Sequence, residues 1–245
     1  MKLIVADGGN PQKARRVAGE LDIEMADFGT VDRSELVLAL DAQGLALVRD
    51  GMEVRGDFNK MLPRVKQGAL QRELLVKAAK LKGVTQPTAV DATAGLGEDS
   101  FLLASAGFEV TLCEFDPVIA ALLRDAVDRA RADARTAAAA ARMTVVHGDS
   151  KEILANLPQA PDVVYLDPMF PARTKSAAVK KKFQLIHDLE APCTDEHELV
   201  QAAVAAHPRK VVIKRPIKGA VLDGIKPSHS VSGKAVRYDC IVLPR

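Results

Sequence analysis

The pattern of apolar and polar positions after residue 85 alternates between strand-length and helix-length segments. Short apolar runs bounded by turn residues predict strands over 89–91, 109–113, 143–147, 163–166, 210–214 and 237–243. The segments between them predict helices over 99–106, 117–142, 150–157 and 196–206. Repeated strand–helix alternation indicates an α/β fold with a mostly parallel sheet covered on both faces. In such a sheet, ligands bind beyond the carboxyl ends of the strands.

The first 60 residues show a different arrangement of apolar runs. They predict a strand, a helix and a two-stranded hairpin, over 2–6, 11–20, 36–40 and 45–48. Leucines and alanines spaced by three and four then predict a helix over 66–82, which Gly83 and Pro87 end. We therefore expect a small N-terminal α/β subdomain at 1–60 and a main domain at 61–245. The alanine-rich segment 129–142 is expected to be a helix that faces solvent.

Composition limits the class of protein further. The chain has 245 residues, of which 48% are apolar, so it can bury the core of one main domain and a small appendage. No apolar run is long enough for a membrane span, and the N-terminus lacks the apolar segment of a secretory signal. Cys113, Cys193 and Cys240 lie far apart and match neither a metal-binding nor a disulfide pattern. We expect a cytoplasmic protein without a bound metal or a membrane partner.

Charge is unevenly distributed, although the net charge is only +2. Residues 1–54 contain ten acids and six bases, whereas 55–82 contain eight bases and two acids. The segments 173–182 and 209–218 each contain five bases and no acid. Each basic segment alone is equally consistent with a solvated face, but three of them together favour a polyanionic partner.

The segment VDATAGLGEDSF, residues 90–101, follows a predicted strand and begins a predicted helix. Gly95 and Gly97 can let the backbone approach a ligand closely. Nicotinamide-binding enzymes normally show G-x-G-x-x-G at this point, with a diphosphate at the helix N-terminus. This chain lacks the third glycine and has Glu98 and Asp99 at the helix start, where they would repel a diphosphate. The acids favour S-adenosylmethionine (SAM), a sulfonium with an ammonium group, over a dinucleotide.

Further acids stand at the ends of neighbouring predicted strands. Asp91 ends the strand before the glycine loop. Glu114 follows the next strand, 19 residues beyond Gly95, where an acid can bind both hydroxyls of a ribose. Asp149 follows the third strand, where it can accept a hydrogen bond from an adenine amine. This order of acids strengthens the prediction of SAM as the cofactor.

The tetrapeptide Asp167-Pro168-Met169-Phe170 directly follows the apolar run 163–166. A carboxylate and the carbonyl of a proline can accept hydrogen bonds from an NH2 group, while an aromatic ring stacks on the flat system that bears it. Methylation of an exocyclic amine requires this arrangement. We therefore predict catalytic roles for Asp167, Pro168 and Phe170. Alone, the motif is also consistent with a turn, because strands often end in Asp-Pro, and Phe170 could be a core residue.

Two motifs together resemble a known family. DATAGLG (91–97), the acid Glu114, and YLDPMFP (165–171) followed by KSAAVKKK (175–182) resemble the RsmJ family. Its members are bacterial SAM-dependent guanine-N2 methyltransferases of small-subunit ribosomal RNA. The similarity covers most of residues 85–245 and is looser over the N-terminal part.

The resemblance implies a class I SAM-dependent methyltransferase, with a Rossmann-like, seven-stranded and mostly parallel sheet. It implies one guanine target in 16S rRNA, presented either as RNA or in the 30S particle. Residues that it places at the cofactor or the reacting amine are Glu98, Asp99, Glu114, Phe115, Asp149, Ser150 and Asp167.

The basic residues after the DPMF motif are expected to bind RNA phosphates. They are Arg173, Lys175, Lys180, Lys181 and Lys182. Three alternatives remain open at this point. They are a SAM enzyme acting on a protein amide or another planar amine, a nicotinamide-dependent oxidoreductase, and an RNA-binding module without catalytic activity.

Overall fold

The computed structural model describes residues 1–168, Leu185, 196–220 and 226–244. Within these residues the chain forms two sheets, one in each of the predicted segments of the chain. The smaller sheet is built from β1 (Lys2–Val5), β2 (Glu24–Ala26), β3 (Val37–Asp41), β4 (Gly44–Arg49) and β5 (Met52–Val54). The larger is built from β6 (Thr88–Asp91), β7 (Glu109–Glu114), β8 (Met143–His147), β9 (Val163–Leu166), β10 (Lys210–Pro216), β11 (His229–Ser232) and β12 (Val236–Val242).

The larger sheet has the strand order β11-β12-β10-β9-β6-β7-β8. Strands β10, β9, β6, β7 and β8 run parallel, and β12 lies antiparallel between β10 and β11. From β6 the chain first builds β7 and β8 on one side and then β9 and β10 on the other. The strand order therefore reverses between β6 and β9, and this switch point places a ligand crevice above their carboxyl ends. The expected α/β class with a mostly parallel, seven-stranded sheet is confirmed.

Helices separate the strands of the larger sheet. They are α4 (Glu98–Ser105), α5 (Pro117–Ala132), α6 (Ala137–Ala140), α7 (Ser150–Ala155) and α8 (Glu196–Ala205). Asp116 and Asp149 begin α5 and α7 by accepting hydrogen bonds from backbone N–H groups of the first turn, as N-cap residues do. Buried residues of α4 and α5, among them Phe101 and Leu123, pack on one face of the sheet in the main core.

The smaller sheet has the order β2-β1-β3-β4-β5, with α1 (Pro11–Leu21) packed on it. Its leucines do not form a core alone. Leu38, Leu45 and Leu47 share one cluster with Val118 and Leu122 of α5. The N-terminal subdomain therefore buries its apolar face against a helix of the main domain.

The predicted helix over 66–82 is wrong. The chain instead forms α2 (Leu62–Val65), a 3-10 turn at Leu70–Arg72 and α3 (Leu74–Ala79). Gly68 has φ +78°, and Glu73 has an extended ψ of 128°, so neither continues a helix. The periodic apolar residues are nevertheless buried in the main core or packed against it. Their spacing therefore reflects burial and not one continuous helix.

The predicted helix over 117–142 is also broken. Helix α5 ends at Ala132, and the extended backbone of Asp133 (φ −97°, ψ 118°) separates it from α6. The hydroxyl of Thr136 donates to the carbonyl oxygen of Ala130 and closes the break. Ala139 and Ala140 are buried, so the expectation of a solvent-facing alanine-rich helix is wrong as well. The strands β2, β5 and β11 are absent from the prediction, because β2 and β5 have only three residues each and β11 is largely polar.

Candidate active site

The loop between β6 and α4 is held by the buried carboxylate of Asp91. One oxygen accepts the Thr93 N–H at 3.1 Å, and the other accepts the Ser100 hydroxyl. The side chain is 1% exposed, and this burial raises its pKa to about 7. The N–H groups of Ala92 and Ala94 bond to carbonyls of β9 and β7, so the loop is fixed to both neighbouring strands.

Gly95 and Gly97 both have a positive φ but differ in their surroundings. A Cβ placed on Gly95 (φ +53°) would meet no described atom within 4 Å. A Cβ on Gly97 (φ +80°) would lie 2.6 Å from Leu123 Cδ1 and 3.2 Å from Phe58 Cζ. Gly95 therefore leaves open space for a ligand, whereas Gly97 is required by packing inside the protein. We retain Gly95 as a proposed cofactor contact and assign Gly97 to the shape of the loop.

Glu114 connects the end of β7 to the glycine loop. Oε2 accepts the Gly95 N–H and Oε1 accepts the Asp116 N–H, each at 2.9 Å. Burial raises the pKa of Glu114 to about 7, against the opposing effect of these hydrogen bonds. Each carboxylate oxygen has a second lone pair, so both oxygens can still accept a hydroxyl.

The end of β8 lies beside the end of β7 and adds the predicted residues Asp149 and Ser150 to the site. Gly148 N–H donates to the Glu114 carbonyl, and His147 Nε2 lies 3.1 Å from the Phe115 carbonyl oxygen. These contacts hold the ends of β7 and β8 side by side. Phe115 is 70% exposed beside them, where its ring is available to a ligand. Asp149 accepts the Lys151 N–H at 2.8 Å, and Ser150 follows it as the first residue of α7.

Asp167 follows β9 on the other side of the switch point. Its N–H donates to the Thr93 hydroxyl oxygen at 2.7 Å, which joins the strand end to the glycine loop. Its side chain is partly exposed, and Oδ2 accepts a hydrogen bond from Lys214 Nζ at 2.7 Å. Desolvation raises the pKa of Asp167, and the positive charge of Lys214 partly counteracts this rise. No described residue donates to Oδ1. Pro168 is buried directly after it.

Lys214, which the sequence analysis did not assign to the site, lies between two of the predicted residues. Its Nζ also donates to Asp99 Oδ2 at 2.7 Å, and the Tyr165 hydroxyl donates to the same oxygen at 2.6 Å. Burial alone would lower the pKa of Lys214, but the charges of Asp99 and Asp167 raise it above the ordinary value. Lys214 is therefore a protonated bridge between the two carboxylates. Asp99 is occupied by these two donors, whereas Glu98 is exposed at the start of α4.

Several predicted residues lie outside the described residues. They are Phe170, Arg173, Lys175, Lys180, Lys181 and Lys182. Their catalytic and RNA-binding roles stay predictions.

The third basic segment, 209–218, is used largely inside the protein. Arg209 pairs with Asp162, Lys210 Nζ donates to the carbonyls of Ala78 and Lys80, and Arg215 pairs with Glu196. Lys214 belongs to the site described above. Most of this segment therefore stabilises the fold and does not offer its charge to a partner.

Within the described part of the chain, no group of three or more His, Cys, Asp or Glu side chains could hold a metal ion. No helix in that part is long and apolar enough to cross a membrane.

The residues around the switch point fit SAM. Gly95 leaves the loop surface open, Glu114 can accept two hydroxyls, and Phe115 exposes a ring beside them. Exposed Glu98 at the start of α4 is an acidic group at the position where a diphosphate would otherwise bind, which suits a cofactor with a sulfonium and an ammonium group. This fold and site define a class I SAM-dependent methyltransferase.

Comparisons with known proteins agree with this class and narrow it. A family model described as a putative SAM-dependent methyltransferase matches residues 23–243. A crystal structure of a SAM-dependent methyltransferase from Neisseria gonorrhoeae superposes with a TM-score of 0.78 at 30% identity, covering 99% of this chain and 96% of that one.

Two curated relatives carry the same name, ribosomal RNA small subunit methyltransferase J. The protein from Thioalkalivibrio sulfidiphilus is 43% identical, over 94% of this chain and 93% of the relative. That from Pseudomonas aeruginosa (strain LESB58) is 42% identical, over 94% of this chain and 90% of the relative. The chain belongs to the ribosomal RNA small subunit methyltransferase J family, and it is a SAM-dependent enzyme.

Proposed function

We propose that this enzyme methylates the exocyclic N2 amine of one guanine in 16S rRNA. The single observation that carries the proposal is the end of β9, where the Asp167 N–H bonds to Thr93 of the glycine loop and Lys214 binds Oδ2, while no described residue donates to Oδ1. The relatives named for methylation of small-subunit ribosomal RNA support RNA as the substrate class. The same support favours a cytoplasmic location.

Asp167 and Pro168 prepare the amine. The lone pair of a guanine N2 is delocalised into the ring, so the nitrogen is a poor nucleophile. Hydrogen bonds from its two protons to Asp167 Oδ1 and to the Pro168 carbonyl favour a pyramidal and more reactive nitrogen. Because desolvation raises the pKa of Asp167, Oδ1 can also take up the proton that N2 loses. These contributions are positioning and electrostatics.

The cofactor-binding residues lie on the other side of the switch point. When bound, SAM supplies a methyl group on a sulfonium. Glu114 accepts the ribose hydroxyls, Phe115 packs against the base, and Asp149 with Ser150 contacts the adenine edge. Asp91 acts through the loop that its two hydrogen bonds hold.

The substrate base must be unstacked or single-stranded to reach Asp167, because enzymes that act on a base take it out of the stack. Phe170 is the proposed stacking partner, and Arg173, Lys175, Lys180, Lys181 and Lys182 are the proposed phosphate contacts. The partner is 16S rRNA or the 30S particle.

The test is transfer of a tritium-labelled methyl group to small-subunit RNA and to 30S particles from cells that lack the gene. Wild-type protein should label one guanine, which nuclease mapping and mass spectrometry identify as N2-methylguanine. Asp167→Ala should lower the rate at least about 100-fold and leave RNA and SAM affinity within about twofold. Asp128→Ala, an exposed acid on the far side of α5, serves as the control.

Two results would overturn the proposal. One is labelling of a ribosomal protein amide instead of RNA, since an Asp-Pro strand end suits any planar amine. The other is Asp167→Ala turning over at the wild-type rate.

A further inference from the structure

Four exposed cations lie in two parts of the chain that meet on the β10–β12 side of the site, where Leu74 contacts Gly233. They are Lys66, Arg72, Lys218 and Lys234, and we call them the cationic rim. None of the four forms an ion pair with a described acid. They come from two segments about 150 residues apart, so their proximity is not visible in the sequence.

Lys218 and Lys234, the first pair of the rim, lie just beyond the paired strands β10 and β12, and β10 also carries Lys214. Lys214 is opposite Tyr238, and the antiparallel pairing continues to Pro216 and Val236. Past that point the Ile217 N–H donates to the Ala235 carbonyl at 3.0 Å. Lys218 and Lys234 each adjoin one member of this bonded pair, at the same edge of the sheet as Lys214.

The loop that holds Lys218 is rigidly supported. Arg237 Nη1 donates to the carbonyls of Pro216, Ile217 and Gly219 at 2.9–3.1 Å. Asp239 in turn binds Arg237 through Nε. The position of Lys218 is therefore set by a side chain of the neighbouring strand, which reduces the ordering that a bound anion would require.

The second pair joins the rim through packing between Leu74 and Gly233. A Cβ placed on Gly233 would lie 2.5 Å from Leu74 Cδ1, so the start of α3 contacts the β11–β12 turn closely. The segment just before Leu74 carries Lys66 and Arg72, and its turn is closed by the Ala69 and Arg72 N–H groups.

The acid of that segment does not neutralise the rim. Glu73 accepts two hydrogen bonds from Arg64, at 2.9 and 2.6 Å. These bonds are the main cause of the raised pKa of Arg64, and the negative charge of Asp99 adds a smaller contribution. Helix α2, which holds Arg64, also contacts α4, so this segment borders the site.

We propose that the cationic rim binds the phosphates of the RNA strand that flank the target nucleotide. The inference rests on the proposed function and extends it, because it adds a second phosphate-binding surface to the predicted one after Asp167. A polyanion fits the rim better than an acidic protein segment does, since four separate cations at a sheet edge match a repeating charge. Phosphate contacts of this kind position the strand and leave the choice of base to the site.

The test compares two double variants with the same change of charge. Lys218→Gln with Lys234→Gln removes half of the rim. Lys80→Gln with Lys82→Gln removes two exposed lysines near the opposite edge, where the Lys80 carbonyl accepts a hydrogen bond from Lys210 at the first residue of β10. The affinity of each protein for unmodified 16S rRNA is measured at several salt concentrations, together with KM for RNA and Kd for SAM.

The rim variant should bind RNA about 10-fold more weakly, and the slope of log affinity against log salt should fall by about 1.5 to 2. The loss should appear in KM for RNA, while Kd for SAM stays at the wild-type value. The Lys80/Lys82 variant should keep the wild-type slope. Lys66→Gln with Arg72→Gln should repeat the effect of the first variant.

Equal slopes for the rim variant and the Lys80/Lys82 variant would overturn the inference, since binding would then follow total charge and not this edge. Failure of the proposed function gives a different result, because wild-type protein would then fail to methylate the RNA at all. If wild-type protein methylates the RNA and the rim variant binds it normally, only the rim is refuted.

Discussion

Lys214 Nζ lies 2.7 Å from Asp167 Oδ2 and 2.7 Å from Asp99 Oδ2. One ammonium group therefore joins the end of β9, where the base is proposed to bind, to the first turn of α4 beside the glycine loop. Desolvation and the nearby charge of Asp99 raise the pKa of Asp167, and the positive charge of Lys214 counteracts this rise. Among the described residues none donates to the other oxygen of Asp167, which is the proposed acceptor for the substrate amine.

Removal of this ammonium group should change the pH dependence of the reaction. Lys214→Met takes away the charge that lowers the pKa of Asp167, so that pKa should rise further. Because the ionised carboxylate is the active form, the acidic limb of the kcat profile should move to higher pH. We expect kcat at pH 7 to fall about 10- to 100-fold, with the loss partly reversed at pH 9.

Two further variants test whether the effect comes from the positive charge of Lys214 or from a general change in the protein. Lys214→Arg keeps the charge and should restore most of the wild-type profile. Lys80→Met, at an exposed lysine near the opposite sheet edge, should leave the profile unchanged. An acidic limb that stays in place in Lys214→Met would show that Lys214 does not control the ionisation of Asp167.

Glu114 should make SAM affinity dependent on pH. Burial raises its pKa to about 7, so the carboxyl is largely protonated at pH 6 and largely ionised at pH 8. An ionised carboxylate accepts two ribose hydroxyls better than the neutral acid, so Kd for SAM should fall by up to about 10-fold over this range. Calorimetry from pH 6 to 8 measures the change. Glu114→Gln should bind weakly with a flatter profile, and an unchanged profile would contradict the assignment.

The raised pKa of Glu114 affects folding stability in the opposite direction to SAM binding as the pH rises. The folded pKa of about 7 lies above the unfolded value of about 4, so the folded state binds the proton more tightly. The contribution of Glu114 to stability is therefore present at low pH and is lost as pH rises from about 4 to about 7. Glu114→Gln should flatten this part of the curve of unfolding free energy against pH. A wild-type curve that rises over the same interval, with the rise lost in the variant, would refute the raised pKa.

The two loop glycines should respond differently to alanine. Both substitutions place a side chain at a positive φ, which costs about 1–2 kcal/mol. Gly97→Ala adds a clash with Leu123 and Phe58, which should cost about another 1–3 kcal/mol. Urea unfolding of the free protein should therefore show the larger loss for Gly97→Ala.

SAM binding distinguishes the two glycines in a second way. Gly95→Ala points a methyl group into the open space proposed for the cofactor, so it should weaken SAM binding more than its small loss of stability suggests. Gly97→Ala, assayed where it is folded, should bind SAM with a smaller change. A larger loss of SAM affinity in Gly97→Ala than in Gly95→Ala would contradict the roles assigned to the two residues.

Six of the seven strands of the main sheet could be predicted to within a few residues from the sequence. Parallel strands buried on both faces appear as continuous apolar runs, and 163–166 is one of them. The segment 66–82 could not be predicted as it is, because its breaks depend on the backbone at Gly68 and Glu73 while its apolar spacing still suits a helix. The strand β11, His229–Ser232, has a polar pattern and is a strand only because β12 pairs with it.

The acids at the strand ends of the candidate site could be predicted from the sequence, but the contacts between them could not. Asp91, Glu114, Asp149 and Asp167 each follow an apolar run, which local sequence reveals. Lys214 is 115 residues from Asp99, and their contact depends on β10 lying beside β9 and β9 beside β6. The sequence does show a lysine at the end of a predicted strand. Its contact with Asp167 and Asp99 could not be predicted, because it depends on the order of the strands in the sheet.

The N-terminal subdomain should unfold together with the main domain. Asp125 of α5 is buried between them and accepts hydrogen bonds from Lys13 of α1, from the Leu45 N–H and from Arg129. A Cβ on Gly44 would lie 2.5 Å from Asp125 Oδ2, so the β3–β4 turn is in close contact with this carboxylate. Asp125→Ala leaves Lys13 and the Leu45 N–H without their acceptor.

We expect Asp125→Ala to lower the free energy of unfolding by about 3–5 kcal/mol, because it breaks a buried network from one side. Asp128→Ala, one turn away on the exposed face and paired with Arg131 alone among the described residues, should change it by no more than about 0.5 kcal/mol. Urea unfolding followed by circular dichroism measures both. A loss in Asp125→Ala no larger than in Asp128→Ala would mean that the two sheets are held together by the leucine cluster alone. A separate early transition in the wild-type protein would mean instead that residues 1–60 fold as an independent unit.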